Sequence, residues 1–585
     1  METVDLVVVG AGWNGLVAVK TYRELNPDSH VLLLEAANSI GGVWAKHRLY
    51  RGLKSNNMLG TYEFSDFPMD ETFGVKPGQH IPGDVIQRYL EAYAERFDFI
   101  DRIRLEHRVD SAQHNLDGTW QLQVTNHDRQ MTIDTRKLIV ATGVTSQAYL
   151  PDFEGQATFN APIVHCRDML AHDAELFQDG RRATVFGGTK SAYDAAYACA
   201  TAGMQVDWII RESGHGPIWM APPFVTPLKK WLEKLVTTRF LTWFSPCIWG
   251  DADGFPRVRR FLHGSWLGRK LVDAFWAVLA DDVVQLNGFD KHPEMKKLKP
   301  WVSPFWIASS LSILNYPTDF FDLIKDGTIK VHIADLDHLS DHQVHLSTGE
   351  VLDTTSLICS TGWRCTPNLK FLPEGIDRDL GFPWSSDPLD EKMVKAADDE
   401  ILRRFPRLRS GPDVNPKYKP LTEQAEAAVP HPFRLTRFMV PLSQVRERSL
   451  AFMGITMTIN TALVAQTQAL WIAAYFGGHL TPTAVEHCPP AVRAASDAKS
   501  EDDAELDLKW ETALHSEFGK YRYPAGFGRR NPDFVFDAIP YIDLMLRDLG
   551  LAPARKQGLL ARCFDPYGTE DYKGLVGEWK AKLLN

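Results

Sequence analysis

The first residues of the chain alternate between apolar runs and a glycine-rich turn. Residues 4–9 are almost all apolar, and the glycine-rich stretch 10–15 follows them directly. An amphipathic pattern comes next, and a second apolar run, 31–34, ends at Glu35. Short apolar runs bounded by glycine turns are typical of the buried strands of a parallel sheet. This order predicts a strand–turn–helix–strand unit over residues 1–45.

The turn of this unit has the glycine spacing of a dinucleotide site. Gly10 permits the tight turn, Gly12 lets the backbone approach a pyrophosphate, and Gly15 allows the helix to pack closely on the strand. The phosphate then lies at the helix N-terminus, where free N–H groups and the helix dipole favour an anion. Glu35 follows at the spacing expected for a carboxylate that binds both ribose hydroxyls. Further candidates in the same loop and strand end are Trp13, Asn14 and Ala36.

A second copy of this unit begins near residue 183. Its turn has the sequence Gly187-Gly188-Thr189-Lys190-Ser191-Ala192, with a helix to about residue 201 and an apolar strand, 205–210, after it. Thr189 replaces the middle glycine, which places a side chain where backbone is expected to meet pyrophosphate, and the adjacent Gly188 offers relief. Ala192 still allows the helix to pack closely on the strand. We predict a second nucleotide site here.

The two units differ in the residue that follows their second strand. The first unit has Glu35 there, whereas the second has Arg211. A carboxylate would repel a 2′-phosphate, and a guanidinium offers it a two-pronged hydrogen bond. Lys190 adds another cation at the helix start. An arginine at a strand end is otherwise often a solvated surface charge, but in this repeated unit we predict FAD at the first site and NADPH at the second.

Small residues at several later strand ends suit a chain that passes close to a nucleotide. The candidates are Gly42, Val43 and Trp44, then Ala141, Thr142 and Gly143, then Thr361, Gly362 and Trp363, and finally Gly454. A helix is expected to begin near Asn460, and its N-terminal N–H groups would face a flavin edge.

The pattern as a whole predicts an α/β fold with two Rossmann-like dinucleotide-binding domains. The FAD domain is expected to comprise residues 1–160 and 356–480, and the NADPH domain residues 161–355. A helical insertion is expected at about 214–325 within the NADPH domain, and a C-terminal helical extension at 481–585.

The insertion is rich in tryptophan and interrupts the α/β rhythm. It has three interpretations. The insertion can close over a substrate, its segment Leu241-Thr242-Trp243-Phe244 can contact a membrane surface or a partner, or its aromatic residues can simply form core, which is the commonest role of such residues.

Composition and charge narrow the class of protein. The net charge of −10 argues against a nucleic-acid partner, because no general basic field is available to neutralise phosphates. The seven cysteines form no CxxC or CxxxxC pair, so neither a disulfide framework nor a metal site is predicted. No apolar run is long enough to span a bilayer, and we expect no signal peptide, because the chain enters a strand at once. A cytoplasmic protein is the expectation, and its oligomeric state stays open.

Together these motifs resemble those of the class B flavin monooxygenases, a group of flavin-containing monooxygenases, N-hydroxylating enzymes and Baeyer–Villiger enzymes. The resemblance covers roughly residues 1–215 and 325–478. The insertion and the C-terminal extension look like those of a fungal biosynthetic branch of the group.

The group's fingerprint between the two nucleotide units is FxGxxxHxxxW, or a version ending in tyrosine. Phe159 and His165 match it, whereas Ala161 stands for the glycine and Met169 for the final aromatic residue. The resemblance implies that His165 lies at the domain junction and helps to position the nicotinamide cofactor. It also implies that Asn56 contacts the flavin near C4a, although Asn57 is the alternative for this contact. Asn56 and His165 are therefore the candidate catalytic residues.

The resemblance implies a monooxygenase that uses FAD, NADPH and O₂ and acts through a C4a-(hydro)peroxyflavin. The expected reaction is hydroxylation or N-oxygenation of a large, partly apolar small molecule in secondary metabolism. Baeyer–Villiger oxygen insertion beside a carbonyl is the alternative, and uncoupled oxidation of NADPH to give H₂O₂ is a second. A non-catalytic FAD-binding partner protein is the alternative from another class. A disulfide reductase would need the CxxxxC pair that the chain lacks.

Overall fold

The computed structural model describes residues 2–226, 228–364, 369–421, 431–495 and 502–584. Its architecture is α/β, as predicted, and is built on two sheets with parallel cores. The first is an eight-stranded sheet with the strand order Lys370–Leu372, Arg108–His114, Trp120–Asn126, Arg129–Val140, Glu2–Val9, Val31–Leu34 and Ile103–Arg104, and Leu450–Phe452 pairs with the end of Arg129–Val140.

The opening strand is apolar on both faces because each face meets a different core. Leu6 and Val8 pack into the same core as the helix Trp13–Leu25. Val7 and Val9 point the other way, into a second core. This two-sided burial explains why the sequence shows a continuous apolar run there and no alternation.

The second sheet is five-stranded and parallel throughout. Its strand order is Ile329–Ile333, Gln205–Ile210, Arg182–Phe186, Leu357–Cys359 and Ile163–His165. The sequence placed residues 356 onward in the first domain, but Leu357–Cys359 pairs with strands on both sides within the second sheet. The second domain therefore extends beyond residue 355, because Leu357–Cys359 lies between Arg182–Phe186 and Ile163–His165 in its sheet.

The remaining strands form small sheets. They are Leu336–Ser340, Gln343–Leu346 and Val351–Asp353, followed by the pairs Lys54–Met58 with His80–Pro82, Met220–Ala221 with Ser312–Ile313, Phe224–Val225 with Lys230–Trp231, Leu435–Thr436 with Val440–Pro441, and Met457–Thr458 with Asp533–Phe534.

Helices cover the sheets and form most of the insertion and the extension. The α-helices of the described residues are Trp13–Leu25, Gly83–Arg96, Asp173–Leu176, Lys190–Thr201, Leu232–Val236, Arg239–Thr242, Pro256–Gly264, Trp266–Asn287, Pro293–Lys296, Phe320–Lys325, Ile376–Asp379, Glu391–Arg404, Thr461–Phe476, Pro490–Ala495, Asp503–Arg522, Ala538–Asp548, Leu559–Phe564 and Leu575–Leu583. Among the described helices, none has both the length and the apolarity needed to cross a membrane.

The insertion and the C-terminal extension share one core. Arg239 of the insertion forms a fully buried ion pair with Asp543 of the extension. The Trp249 ring packs edge-on against Phe534, with ring centroids 4.9 Å apart. Breaking such a buried ion pair from one side typically costs about 3–5 kcal/mol, so the two segments are expected to fold together.

The segment 241–244 belongs mainly to this shared core. Leu241 and Trp243 are buried, and the Trp243 indole N–H donates to the Asp253 carboxylate over 3.2 Å. Of the three interpretations of the tryptophan-rich insertion, core packing therefore describes Leu241 and Trp243, and these two side chains are not available to a membrane.

Candidate functional site

The first glycine turn, Gly10 to Gly15, forms a cradle at the end of the strand Glu2–Val9. A side chain at Gly15 would place its Cβ 1.8 Å from the Gly10 carbonyl oxygen, so helix and strand touch at this point. Gly10 has a φ of +107°, and a Cβ there would lie 2.6 Å from the Ala141 carbonyl oxygen. Gly12 faces Gly42, and no side chain caps the helix that begins after it. The cradle thus offers bare backbone and unsatisfied N–H groups, which fit the pyrophosphate of FAD.

Glu35 lies beside this cradle at the end of its strand. One carboxylate oxygen accepts from the Ala11 N–H at 2.7 Å, and the other accepts from the Ala37 N–H at 2.8 Å. Burial raises the pKa of Glu35, while these backbone hydrogen bonds act in the opposite direction. The side chain is half-buried, so its remaining lone pairs are accessible to ribose hydroxyls.

Other residues predicted to bind the cofactor lie around the same cradle. Asn14 lies next to Gly454, where an added Cβ would be 2.9 Å from the Asn14 amide nitrogen. Trp44 is buried and donates from its indole to Tyr62 over 3.2 Å. The Trp13 ring is buried against Tyr62 and other aromatic rings, and its backbone N–H lies in the first turn of the helix that follows the cradle. The more accessible candidates around the cradle are Ala36, Val43, Thr142 and Gly143.

The second turn is similar in shape but more crowded. Gly187 has a φ of +133°, and a Cβ there would lie 2.5 Å from the Ser360 carbonyl oxygen. The Thr189 hydroxyl is 2.6 Å from the Ser360 hydroxyl, so the side chain that replaces the middle glycine is turned toward the neighbouring strand. Gly188 lies close to Gly216, since a Cβ at Gly188 would be 2.8 Å from the Gly216 carbonyl oxygen. Ser191, half-buried, occupies the first turn of the helix.

The two cations predicted for a 2′-phosphate both have partners in the protein. Lys190 forms an ion pair with Asp194 at 2.5 Å and lies over the Tyr316 ring. Asp194 also accepts from the Tyr50 and Tyr316 hydroxyls, at 2.9 and 2.8 Å. Lys190 is thus held by a network that joins both domains to the insertion.

Arg211 retains part of its hydrogen-bonding capacity. Its Nη2 donates to the Lys419 carbonyl at 2.5 Å and to the Ser213 hydroxyl at 2.9 Å, and its Nε is 3.8 Å from the Asp335 carboxylate. Nη1 makes no hydrogen bond within the described part of the chain. The guanidinium is therefore anchored at the strand end where it was predicted, with one nitrogen left for an anion.

His165 and Trp363 meet at the junction of the two domains. Their ring centroids are 5.1 Å apart, and the His165 Nδ1 accepts from the Arg167 N–H over 3.2 Å. Burial lowers the pKa of His165, so the ring is neutral at neutral pH. The two residues before Trp363 are hydrogen-bonded to Tyr149. The Thr361 hydroxyl donates to the Tyr149 carbonyl, and the Tyr149 N–H donates to the Gly362 carbonyl.

Arg48 also lies at this junction, although the sequence did not single it out. Its guanidinium lies over the Trp363 ring at 5.2 Å and donates to the Thr145 carbonyl at 3.1 Å. Burial and the neighbouring Arg167 lower the pKa of Arg48 to about 10, so it stays charged at neutral pH. Within the described ranges no carboxylate lies at ion-pair distance, which leaves this half-buried cation suited to an anionic ligand.

Asn56 and Asn57 open onto an apolar cavity. Asn56 accepts from the Ser312 hydroxyl at 3.2 Å, and Asn57 donates to the Ile459 carbonyl at 3.1 Å, next to the helix that begins at Thr461. The rest of the lining is Trp219, Ala221, Leu232, Glu233, Val236, Leu279, Val283, Pro304, Leu311, Ile313, Val535 and Phe536. The insertion therefore does cover the loop predicted to meet the flavin, and the C-terminal extension, for which the sequence suggested no role, supplies part of the wall.

Glu233 is the one carboxylate in this cavity wall. It is buried, and it accepts from the Thr61 hydroxyl at 2.6 Å, the Trp231 indole at 2.7 Å and the Met58 N–H at 3.1 Å. Burial raises its pKa, and the three donors partly offset that effect. Glu233 thus fastens the insertion to the strand that carries Asn56.

The chain is similar to several known oxidoreductases. A protein-family model described as pyridine nucleotide-disulphide oxidoreductase matches residues 7–240. The chain is 33% identical to the FAD-dependent monooxygenase resA of Aspergillus sclerotiorum, over 99% of this chain and 98% of that protein. It is 32% identical to an FAD-dependent monooxygenase of Pyrenophora dematioidea, over 95% of this chain and 100% of that protein. The open crystal structure of a cyclohexanone monooxygenase has the same fold, with a TM-score of 0.58, 15% identity and coverage of 100% and 98%.

The chemistry in the family model's description has no counterpart among the described cysteines, because all six of them are unpaired thiols and all are buried. The similarity over nearly the whole length instead confirms the predicted enzyme class, and it favours an enzyme over a non-catalytic FAD-binding partner. The chain belongs to the FAD-dependent monooxygenases of the class B flavin monooxygenase group.

Proposed function

We propose that this monooxygenase takes its electrons from NADPH and hydroxylates or N-oxygenates a large, uncharged and mostly apolar molecule in the cavity beside Asn56. The main support for this proposal is the cavity wall, which is apolar apart from Asn56, Asn57, Glu233 and Ser312. FAD supplies the oxygen-transfer chemistry when bound, and the protein has to orient the substrate and exclude water.

The polar residues of the wall have distinct tasks in this proposal. Asn56 is held by Ser312 through its oxygen, and its amide nitrogen makes no hydrogen bond within the described residues. That N–H pair can donate to a carbonyl or hydroxyl of the cofactor or the substrate. Asn57 is already bonded to Ile459, so we assign it to holding the loop in place. The apolar majority of the wall keeps water from the reacting atoms.

The reaction is tested by supplying isotope-labelled O₂ with NADPH and a panel of bulky apolar compounds that carry an amine, an electron-rich ring or a ketone. We expect one labelled oxygen atom in the product and the other in water. Esters or lactones from the ketones would instead assign the Baeyer–Villiger alternative. Release of H₂O₂ equal to the NADPH consumed with every compound would contradict oxygen transfer.

The use of NADPH is supported by Arg211 and Arg48, which we assign to different phosphates. Arg211 lies where the 2′-phosphate of NADPH is expected, and Arg48 is placed to meet the pyrophosphate that NADPH and NADH share. Arg211→Ala is therefore expected to reduce the preference for NADPH over NADH by about tenfold, the effect of one charged hydrogen bond. Arg48→Ala should weaken the binding of NADPH and of NADH by the same factor.

These two variants serve as controls for each other. The measurement is the rate of anaerobic flavin reduction as a function of coenzyme concentration. An unchanged NADPH preference in Arg211→Ala would show that this residue does not bind the 2′-phosphate. If Arg48→Ala weakened the binding of NADPH but not that of NADH, Arg48 and not Arg211 would be assigned to the 2′-phosphate.

The fungal relatives support a place in secondary metabolism. The cytoplasmic location expected from the sequence remains a prediction.

A further inference from the structure

The outer face of the helix Trp266–Asn287 is apolar where a solvent-facing helix is expected to be polar. Trp266 is 69% exposed and Val278 is 71% exposed, and Leu267 and Leu271 are also exposed. Residues 267, 271 and 278 share one side of the helix because their spacing follows its period. This face is too continuous to be explained as scattered surface residues.

A second helix extends the same apolar surface. In Leu559–Phe564, Leu560 is 76% exposed, and Leu559 and Phe564 are exposed as well. A chain of ring contacts joins the two helices, with Phe564 to Phe240 at 5.3 Å, Phe240 to Phe244 at 5.3 Å and Phe244 to Phe275 at 4.2 Å. The docking surface comprises Phe240, Trp266, Leu267, Leu271, Val278, Leu559, Leu560 and Phe564.

The charged residues on and around the docking surface are mainly cationic. Arg260, Arg269, Lys270 and Arg562 have no carboxylate at ion-pair distance within the described residues. Asp273, the acid in the apolar stretch of the long helix, is paired with Arg407 at 2.7 Å. Two exposed acids lie near the surface, Asp281, one turn after Val278 on the long helix, and Asp565, which follows Phe564. The cationic bias is local, since the whole chain has a net charge of −10.

We propose that the docking surface binds peripherally to an anionic phospholipid bilayer. Its apolar side chains enter the interface between headgroups and acyl chains, and the cations at its margin contact the lipid phosphates. The charge pattern argues against a second copy as the occupant, because a symmetric dimer would place this cationic surface against an identical cationic surface. The negative charge of the remaining surface would orient the molecule with this face toward the membrane.

Docking would also place lipid close to the cavity. Leu279 and Val283 of the same long helix line the cavity beside Asn56, on the opposite side from the docking surface. A membrane-dissolved apolar substrate would then be one helix away from the site. This step rests on the proposed function, whereas the docking itself does not.

Docking is tested by co-sedimentation of the full-length holoprotein with vesicles. We expect binding to vesicles of phosphatidylcholine and phosphatidylserine, weaker binding to phosphatidylcholine alone, and a decline as salt screens the charges. The double variant L267E/L271E should lower the partition coefficient at least about tenfold, because two buried side chains are lost from the interface. Lys270→Ala should lower binding to the anionic vesicles about fivefold.

The matched control is Leu116→Glu, which adds a carboxylate at a fully exposed leucine in the first domain. All variants are compared for flavin content and melting temperature, so a failure to fold is recognised. Absence of binding by the wild-type protein, or equal losses in L267E/L271E and Leu116→Glu, would overturn the proposal. A dimer in sedimentation velocity that dissociates in L267E/L271E would also overturn it, by assigning the face to self-association. None of these results depends on whether a substrate has been found.

Discussion

Gly12→Ala is expected to leave the protein folded while abolishing tight binding of FAD. Gly12 has an extended backbone with a φ of −87°, which alanine adopts freely. A Cβ there would meet Gly42 Cα at 3.6 Å, an ordinary contact distance. The new methyl group would occupy the space in which the pyrophosphate approaches the backbone. Loss of two charged hydrogen bonds would lower the affinity by about 3 kcal/mol or more, which is at least roughly a hundredfold.

Two further glycine variants give this experiment its controls. Gly15→Ala would place a Cβ 1.8 Å from the Gly10 carbonyl oxygen, so that variant is expected to lose the fold itself. Gly577→Ala adds the same methyl group where nothing lies within 4 Å, and should change neither property. FAD affinity is measured by titrating the apoprotein, and folding by circular dichroism. Normal FAD binding by Gly12→Ala would refute the assignment of the cradle.

The features predicted well from the sequence are those encoded within a short stretch of chain. The helix of the second unit, expected to end at about residue 201, is observed as Lys190–Thr201, and the helix expected to begin near Asn460 is observed as Thr461–Phe476. Both glycine turns lie between the predicted strands and helices, because apolar period and glycine position determine that geometry locally. The ion pair of Lys190 with Asp194 could also be predicted from the sequence, since Asp194 lies one helical turn later.

The features that were missed depend on residues far apart in the chain. Glu233 meets Met58 from 175 positions away, and Val535 and Phe536 reach the cavity from the extension. Arg48 has no local motif, and only the packing of Trp363 beside it reveals a half-buried cation that has no carboxylate partner among the described residues. The strand Leu357–Cys359 was assigned to the wrong sheet because strand order is not encoded in the strand's own sequence.

Glu233→Ala is expected to have the second large effect, a loss of both stability and the geometry of the strand Lys54–Met58, which carries Asn56. Removal of the carboxylate leaves the Thr61 hydroxyl, the Trp231 indole and the Met58 N–H without their acceptor in a buried site. Each unsatisfied donor costs about 1 kcal/mol or more, so the free energy of unfolding should fall by about 3 kcal/mol or more. Urea denaturation measures this change.

Glu233→Gln separates the shape of this side chain from its charge. Glutamine keeps one acceptor oxygen, and its amide can donate to the Thr61 hydroxyl, so the variant is expected to fold and to retain most of its activity.

The pH dependence of the stability then reports on the charge of Glu233. Because burial raises the pKa of Glu233 above 4.5, the folded state binds a proton more tightly than the unfolded state does. The stability of the wild type relative to Glu233→Gln should therefore decrease as the pH rises from 4.5 through the folded-state pKa, and then level off. All other carboxylates are common to both proteins, so their contributions cancel in the difference. A difference that does not change with pH would show that the three donors fully compensate the burial of this carboxylate, and a Glu233→Ala variant as stable as the wild type would show that Glu233 does not fasten the insertion to the site.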